Sequence, residues 1–325
     1  MTVKLDYLCP DCRHDLSTRG SDYYCPKCKR KFCSDQGILK LLPRFLEDNK
    51  VKEDLVYNLK GEDNSWYSGK VWYYLVHLSS HIVRFENEVL PKIKGPRVLE
   101  LACGNGWASM LVKRQDKNIC CVASDISFNS INIQGKQMSR IMETAPDSWV
   151  VCDAEKLPFP NNYFDTVFVI ASLHHFPNIP IALAEVKRVL KAGGRFIAID
   201  GLMPTIAQKL LKGENSPRTK NYGILERKIT YDEWLKYLYD SGLPASCLHL
   251  YFNPGYLHEY ATNEDEEKLI KKNWLYRVAK EIIYGAILSK MNSSYVKLLK
   301  LTSVFPCGVV IDYQKDQNEN HPNLS

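Results

Sequence analysis

Residues 97–109 constrain the fold more than any other stretch of this 325-residue chain. A short apolar run, residues 98–101, is interrupted by one carboxylate, Glu100, and is followed by glycines at positions 104 and 106. A helix-like segment comes next. In α/β folds, a strand, a glycine turn and a helix bring bare backbone up to a ligand at the carboxyl end of the strand. The stretch therefore predicts an α/β domain with a ligand site at this turn.

The acidic residues that follow the next two apolar runs point to the same edge of a sheet. Asp125 follows the continuous apolar run 119–124, and Asp153 closes the run 149–152. Apolar runs continue to alternate with helical segments as far as Asp200, which is typical of a doubly wound parallel sheet. A carboxylate at a strand end can accept both hydroxyls of a ribose, which Asn or Ser does less well.

Taken together, these features resemble motif I and the strand ends of the class I S-adenosylmethionine-dependent methyltransferases. Ala102 stands in place of the first glycine of the motif, and the resemblance extends from about residue 98 to residue 200. The segment 171–176 is similar to the group that includes the ubiquinone-pathway enzymes. The resemblance implies a Rossmann-like sheet and S-adenosylmethionine as cofactor.

The resemblance also assigns roles to single residues. Glu100 and the Gly104–Gly106 backbone are expected to hold the methionine part and the ribose, Asp125 the ribose, and Asp153 the adenine amino group. The predicted cofactor contacts are Glu100, Ala102, Gly104, Asn105, Gly106, Asp125, Ile126, Asp153, Ala154 and Ala171.

Two histidines just beyond the predicted fourth strand are the candidate catalytic residues. Methyl transfer from a sulfonium is an in-line displacement that mainly needs alignment of the nucleophile. A hydroxyl acceptor would also profit from a nearby base. His174 and His175 are best placed for this role, with His175 slightly ahead. The alternative is that both are structural residues without a part in proton transfer.

The amino-terminal cysteines have the spacing C-x2-C-x12-C-x2-C, formed by Cys9, Cys12, Cys25 and Cys28. Paired thiolates on two tight turns suit a closed tetrahedral Zn²⁺ site of structural kind. The alternative is two chance pairs of reduced thiols. We expect Cys33 to be a further buried thiol and His14 to lie at the surface. The closing segment 37–43 resembles small zinc ribbons fused to methyltransferases, including ribosomal RNA guanine-N1 methyltransferases.

The chain divides into four predicted regions, one of which contains an insertion. They are a zinc-ribbon module (1–46), a helical lid or linker (47–95), a methyltransferase domain (96–314) with a helical insertion at about 262–303, and a disordered tail (315–325). No apolar run reaches the roughly 18 residues that a membrane-spanning helix needs, so we expect no stable membrane insertion. Eleven cysteines, several inside apolar runs, favour a reducing and hence cytoplasmic location.

The leading functional hypothesis is a methyltransferase that acts on a small-molecule acceptor such as a metabolite, natural product or sugar intermediate. The formal net charge of +6 is mild and does not by itself call for nucleic acid. An RNA base methyltransferase of the guanine-N1 type is the alternative, with Lys29–Lys31 and a basic helical stretch at 268–300 as its RNA surface. A non-catalytic binding module that keeps the fold is the third.

Overall fold

The computed structural model describes residues 5–20, 22–48, 50–52, 84–202, 225, 227, 229–252 and 307–317. Several predicted segments lie outside the described residues. These are most of the helical linker, the insertion at 262–303 with its basic stretch, and the tail from residue 318 onward. Within the described residues, no helix is long and apolar enough to cross a membrane.

The amino-terminal module consists of short strands around two cysteine knuckles. Strands β1 (Ser17–Arg19), β2 (Asp22–Tyr24) and β3 (Lys31–Phe32) form an antiparallel sheet, and β4 (Ser34–Asp35) and β5 (Ile38–Leu41) form a hairpin. Each knuckle turns through a left-handed residue, Arg13 with φ 61° and Lys29 with φ 59°. These turns place the paired cysteines on the same side of the module.

The prediction of a buried Cys33 is wrong, because Cys33 is exposed. Successive side chains of an extended chain point to opposite faces. Its neighbour Phe32 occupies the buried position, with 3% exposure, so Cys33 faces solvent. His14 is exposed, as predicted, and the thiols of Cys120, Cys121 and Cys152 are buried, as predicted.

A large mixed sheet forms the centre of the molecule and confirms the predicted α/β class. Its further strands are β6 (Arg97–Leu101), β7 (Cys120–Asp125), β8 (Ser148–Cys152), β9 (Phe164–Ile170), β10 (Leu190–Leu202), β11 (Leu248–Phe252) and β12 (Cys307–Gln314). Among the described residues the order is β11-β12-β10-β9-β6-β7-β8-β5-β4. Strands β5 to β10 pair in parallel, whereas β12 is antiparallel to both β10 and β11.

Helices cover both faces of this sheet. They are α1 (Trp107–Gln115), α2 (Lys136–Met142), α3 (Ile179–Val189) and α4 (Tyr231–Asp240). Alternate residues of one strand enter opposite cores: Val167 packs with the α3 and α4 side, whereas Phe168 packs with the α1 and α2 side. A capping box begins α4, since Thr230 and Glu233 exchange both of its hydrogen bonds.

The amino-terminal module is joined to the central sheet by main-chain hydrogen bonds. Strand β5 pairs in parallel with β8, with Ile38 opposite Trp149 and Leu41 opposite Cys152. The first knuckle contacts the segment after β8, because the Leu8 N–H donates to the Pro158 carbonyl oxygen at 2.9 Å. The module therefore extends the edge of the sheet beside β8, which ends one residue before Asp153.

Candidate active site

The glycine turn lies at the carboxyl end of β6, where the strand order reverses. From β6 the chain continues outward through β7 and β8 and then returns to β9 on the other side of β6. Ligands of open α/β sheets bind in the crevice at such a switch point. The Ser172 hydroxyl bridges the two sides, since it lies 3.3 Å from the Ala102 carbonyl oxygen and 2.9 Å from that of Ile170.

The backbone of the turn is left-handed at three positions, Ala102 (φ 50°), Gly104 (φ 53°) and Gly106 (φ 70°). A Cβ atom at position 106 would lie 2.4 Å from Cη2 of Trp149, so this glycine is needed for close packing. A Cβ atom at position 104 would meet nothing nearer than the Ser130 hydroxyl, at 4.0 Å. Open space therefore remains in front of Gly104, where a ligand can approach the backbone.

Glu100 lies beneath the turn and is 3% exposed. Its Oε2 accepts hydrogen bonds from the backbone N–H of Ser109 at 2.9 Å and from the Ser109 hydroxyl at 2.5 Å. Ser109 lies in the first turn of α1, so the carboxyl group ties the strand to the helix. Burial raises the pKa of Glu100 to about 8, although the hydrogen bonds from Ser109 act in the opposite direction.

Asp125 connects the turn to the end of β7. Its Oδ2 accepts a hydrogen bond from the Gly104 N–H at 2.8 Å, and its Oδ1 accepts one from the Ser127 N–H at 2.9 Å. The nearby Ser130 hydroxyl is buried and has no hydrogen-bond partner among the described residues. A buried polar group of this kind is uncommon and indicates a partner that binds there.

Asp153 lies at the end of β8 and is 4% exposed. Its Oδ1 accepts from the Glu155 N–H at 2.9 Å and caps the short helical turn 154–156. Its Oδ2 lies 2.9 Å from the ammonium group of Lys50, which is also 2.9 Å from Oε2 of Glu155. The predicted adenine-binding carboxylate is therefore part of a buried ion-pair cluster.

The other predicted cofactor residues line the same edge and are partly exposed. They are Ala102, Gly104, Asn105, Ile126, Ala154 and Ala171, whereas Gly106 is buried. Ala171 also has a left-handed backbone, with φ 51°, and its N–H donates to the Ile199 carbonyl oxygen at 2.7 Å. The structure thus brings the predicted cofactor residues to the ends of β6, β7, β8 and β9.

The two candidate histidines lie at this edge beyond β9. His174 Nδ1 is 2.7 Å from Oδ1 of Asp200, a residue in β10 with no exposed surface. His175 Nδ1 is 2.7 Å from the Leu225 carbonyl oxygen, and the two imidazole centroids are 4.1 Å apart. Burial by itself raises the pKa of Asp200, but the neighbouring His174 and the Gly201 N–H outweigh it, and the pKa is lowered.

The four cysteines of the knuckles form one cluster, with all Sγ atoms within 4.8 Å of one another. The Sγ atoms of Cys9 and Cys28 are 3.5 Å apart, and those of Cys12 and Cys25 are 3.4 Å apart. In a tetrahedral zinc site with Zn–S bonds of about 2.3 Å, the sulfur atoms lie roughly 3.8 Å from one another. The donor set and its spacing therefore fit Zn²⁺.

Three polar residues of the site were not singled out from the sequence. Asp200 follows an apolar run, and this position indicates that it lies at the carboxyl end of a strand of the sheet. Ser109 follows the glycines at a helical position and gave no signal of its contact with Glu100. Lys50 lies 103 residues before Asp153, so that no local pattern connects the two.

Comparisons with known proteins agree with this geometry. Residues 99–198 match the family described as "Methyltransferase domain". The chain is 30% identical over 162 residues to the 27-O-demethylrifamycin SV methyltransferase of Amycolatopsis mediterranei, covering 48% of this chain and 56% of that protein. It is 33% identical over 153 residues to the ubiquinone/menaquinone biosynthesis C-methyltransferase UbiE of Francisella philomiragia, covering 46% of this chain and 60% of that protein.

A solved structure shows the same fold at low sequence identity. The geranyl diphosphate C-methyltransferase of Streptomyces coelicolor is 14% identical, with a TM-score of 0.50, and the match covers 84% of this chain and all of that one. This likeness concerns the fold alone. The match covers only 56% and 60% of the length of these two curated relatives.

Proposed function

We propose that this chain, which carries a class I S-adenosylmethionine-dependent methyltransferase domain, methylates a hydroxyl group of a small-molecule acceptor. The observation that carries the proposal is the pairing of His174 with the buried carboxylate of Asp200, at 2.7 Å, beside the glycine turn. A histidine held in this way can accept a proton from an acceptor as the methyl group arrives. Another relative, 34% identical over 108 residues, is named fatty-acid O-methyltransferase, which supports an oxygen acceptor, whereas the UbiE relative is named as a C-methyltransferase.

The residues at the carboxyl edge fit S-adenosylmethionine. The space in front of Gly104 admits a ligand to the bare backbone, and the unpaired Ser130 hydroxyl offers a polar contact close by. Asp125 accepts two main-chain hydrogen bonds, which fix its carboxylate at the end of β7, where a ribose hydroxyl would donate to it. We infer that Asp125 and Asp153 bind the cofactor directly. Glu100 supports the site without touching the cofactor, by holding β6 and α1 together through Ser109.

The bound cofactor supplies an electrophilic methyl group on a sulfonium, with a neutral thioether as leaving group. Asp200 accepts the Nδ1 proton of His174, so that Nε2 would be the imidazole nitrogen that acts as the base. Nε2 of His174 would take the proton of the acceptor hydroxyl, and the cofactor, when bound, would supply the methyl group to the acceptor oxygen. Asp200 then stabilises the imidazolium that results. The His175 imidazole lies against that of His174, with the centroids 4.1 Å apart and the ring planes tilted by 40°.

We propose a structural role for zinc at Cys9, Cys12, Cys25 and Cys28. A site filled by four cysteines has no open position for a substrate or water. The module that holds it is small, and such modules need a metal or another crosslink to supplement their core. The ten cysteines whose side chains the structure describes form no disulfide with one another, which supports a reducing, cytoplasmic location for a protein with zinc thiolates.

RNA methylation remains the alternative. The basic residues of the amino-terminal module speak against it, because they already have partners within the protein. Arg30 forms an ion pair with Asp11 at 2.6 Å, and Lys31 forms one with Asp22 at 2.7 Å. Lys29 donates to the Pro26 carbonyl oxygen at 2.7 Å. A phosphate backbone would have to compete with these contacts, whereas RNA-binding surfaces present free basic groups.

The experiment that tests the function uses purified protein, methyl-labelled S-adenosylmethionine and a cell extract divided into RNA, protein and small-molecule fractions. We expect label in the small-molecule fraction with the unchanged protein and a loss of that label with His174→Gln. The His174→Gln protein should still bind S-adenosylhomocysteine, which separates chemistry from cofactor binding.

Other outcomes select the alternatives. Label in nuclease-sensitive material would establish RNA as the methyl acceptor. The basic residues of the amino-terminal module would then be candidates for RNA contact. Label in no fraction, together with no measurable binding of S-adenosylhomocysteine, would support a binding module that retains the fold. Label that persists undiminished with His174→Gln would remove the histidine from proton transfer.

A further inference from the structure

Lys50 reaches the adenine end of the candidate cofactor site from outside the methyltransferase domain. It lies in the short segment that follows the amino-terminal module, and only 8% of its surface is exposed. Its ammonium nitrogen is 2.9 Å from Asp153 Oδ2 and 2.9 Å from Glu155 Oε2. Lysine is rarely buried to this degree unless it is paired, so these two contacts explain its position.

The cluster is held from several sides. Glu155 is 8% exposed, and its Oε1 accepts from the Asn178 N–H at 2.7 Å, which connects the cluster to the start of α3. Asp153 Oδ1 accepts from the Glu155 N–H. Burial alone lowers the pKa of Lys50, but the hydrogen bonds to Asp153 and Glu155 outweigh it and raise the pKa above its ordinary value.

Without Lys50, two buried carboxylates would lie close together with no counter-charge. Repulsion between like charges would drive the two carboxylates apart. A displaced Asp153 would be a poorer acceptor for an amino group. With Lys50 in place, the Asp153 carboxylate is held by its contact to the ammonium group, and Oδ2 keeps a second lone pair for another donor.

We propose that Lys50 is a positioning residue of the cofactor site, which holds Asp153 as an oriented anion for the amino group of adenine. This inference rests on the proposed function, because it takes Asp153 as the acceptor for adenine. It also gives the segment next to the zinc-ribbon module a role in cofactor recognition. Strand β5 supports the same point, since it pairs with β8 as far as Leu41 opposite Cys152, one residue before Asp153.

The test compares two lysine variants and two ligands by calorimetry. Lys50→Met removes the charge from the cluster, and Lys52→Met removes an exposed lysine from the same segment as a matched control. The ligands are S-adenosylhomocysteine and S-inosylhomocysteine, in which an oxo group replaces the adenine amino group. We expect Lys50→Met to weaken S-adenosylhomocysteine binding about tenfold and to change S-inosylhomocysteine binding much less, while Lys52→Met changes neither.

Lys50→Arg is the conservative variant and covers the case in which Lys50→Met does not fold. Arginine keeps the charge and the donors, so its affinity for S-adenosylhomocysteine should stay within about threefold of the unchanged protein. Unchanged or tighter S-adenosylhomocysteine binding by Lys50→Met would overturn the inference. Equal weakening of both ligands would do so as well, because it would show general structural damage. Failure of the unchanged protein to bind S-adenosylhomocysteine would overturn the inference and the proposed function together.

Discussion

His174 Nδ1 lies 2.7 Å from Oδ1 of Asp200, whose carboxylate has no exposed surface. The same carboxylate also accepts the backbone N–H groups of His174, at 3.2 Å, and Gly201, at 2.6 Å. The Asp200 carboxylate is therefore fixed by the main chain on both sides. Because Nδ1 is engaged by Asp200, Nε2 is the imidazole nitrogen that can take part in proton transfer.

Asp200→Asn should lower the rate of methyl transfer by roughly 10²-fold or more, because an amide no longer fixes the imidazole tautomer or stabilises the imidazolium. The measurement is kcat with an identified acceptor, together with the affinity for S-adenosylhomocysteine, which should stay unchanged. His174→Gln should lower kcat to a similar extent. The double variant should be little worse than either single one, because the two residues act as a unit; additive losses would show that Asp200 acts independently of His174.

Both Gly104 and Gly106 have a left-handed backbone, but their replacement by Ala should affect different properties. Gly106→Ala should mainly lower stability, and Gly104→Ala should mainly lower cofactor affinity. At Gly106 the new methyl group would collide with Trp149, so we expect a loss of about 2–4 kcal/mol in the free energy of unfolding. At Gly104 the methyl group would enter open space, so the loss should be about 1 kcal/mol. Its main effect should be a loss of cofactor affinity of about tenfold or more.

Urea unfolding and titration with S-adenosylhomocysteine distinguish these two effects. The pair serves as its own control, since each variant adds one methyl group to the same turn. A Gly104→Ala protein that binds the cofactor normally would show that the space in front of Gly104 is not part of the cofactor site.

Glu100 should make the protein less stable as the pH rises. Its folded-state pKa is raised from 4.5 to about 8, so between these values the folded state binds more protons than the unfolded state. The free energy of unfolding then falls with rising pH, by up to about 1.4 kcal/mol per pH unit. Glu100→Gln cannot titrate and should lose this decline. The measurement is urea unfolding of both proteins from pH 5 to 8, and identical pH profiles would contradict the assignment.

The strands and the order of the acidic strand ends could be predicted because both depend on local patterns. Apolar runs of four to seven residues that end in Asp125, Asp153 or Asp200 specify a buried parallel strand and the edge at which it ends. The position of the glycine turn could be predicted for the same reason, since glycines directly after a buried strand indicate a place where a ligand approaches the backbone. Spacing also predicted the cysteine cluster, because each knuckle is a local turn.

Contacts between distant parts of the chain could not be predicted in this way. Lys50 with Asp153, and β5 with β8, are joined only by tertiary packing, and neither partner carries a periodic or spacing signal for the other. The burial of Cys33 was predicted wrongly because Phe32 next to it has the stronger tendency to enter a core. At Ala102 the sequence departs from glycine, yet the backbone keeps the left-handed conformation, with φ 50°, because the loop around it fixes its path.

Removal of zinc should destabilise the protein before it abolishes methyl transfer. If the four knuckle cysteines bind the metal, its loss frees both turns, the first of which donates hydrogen bonds to the Leu157 and Pro158 carbonyl oxygens, and weakens the pairing of β5 with β8. We expect a chelator, or Cys12→Ala, to lower the unfolding temperature markedly. The measurement is native mass spectrometry for one zinc per chain, combined with thermal unfolding and a methyl-transfer assay below the unfolding temperature of the zinc-free protein.

Cys33→Ala is the matched control for this prediction, because Cys33 is in the same module but is exposed and is not part of the cluster. It should retain one zinc per chain and an unchanged unfolding temperature, since the change removes no ligand and no buried surface. A zinc-free protein of undiminished stability would contradict a structural site. Full stability combined with a selective loss of methyl transfer would instead indicate a catalytic metal, which a closed set of four thiolates does not support.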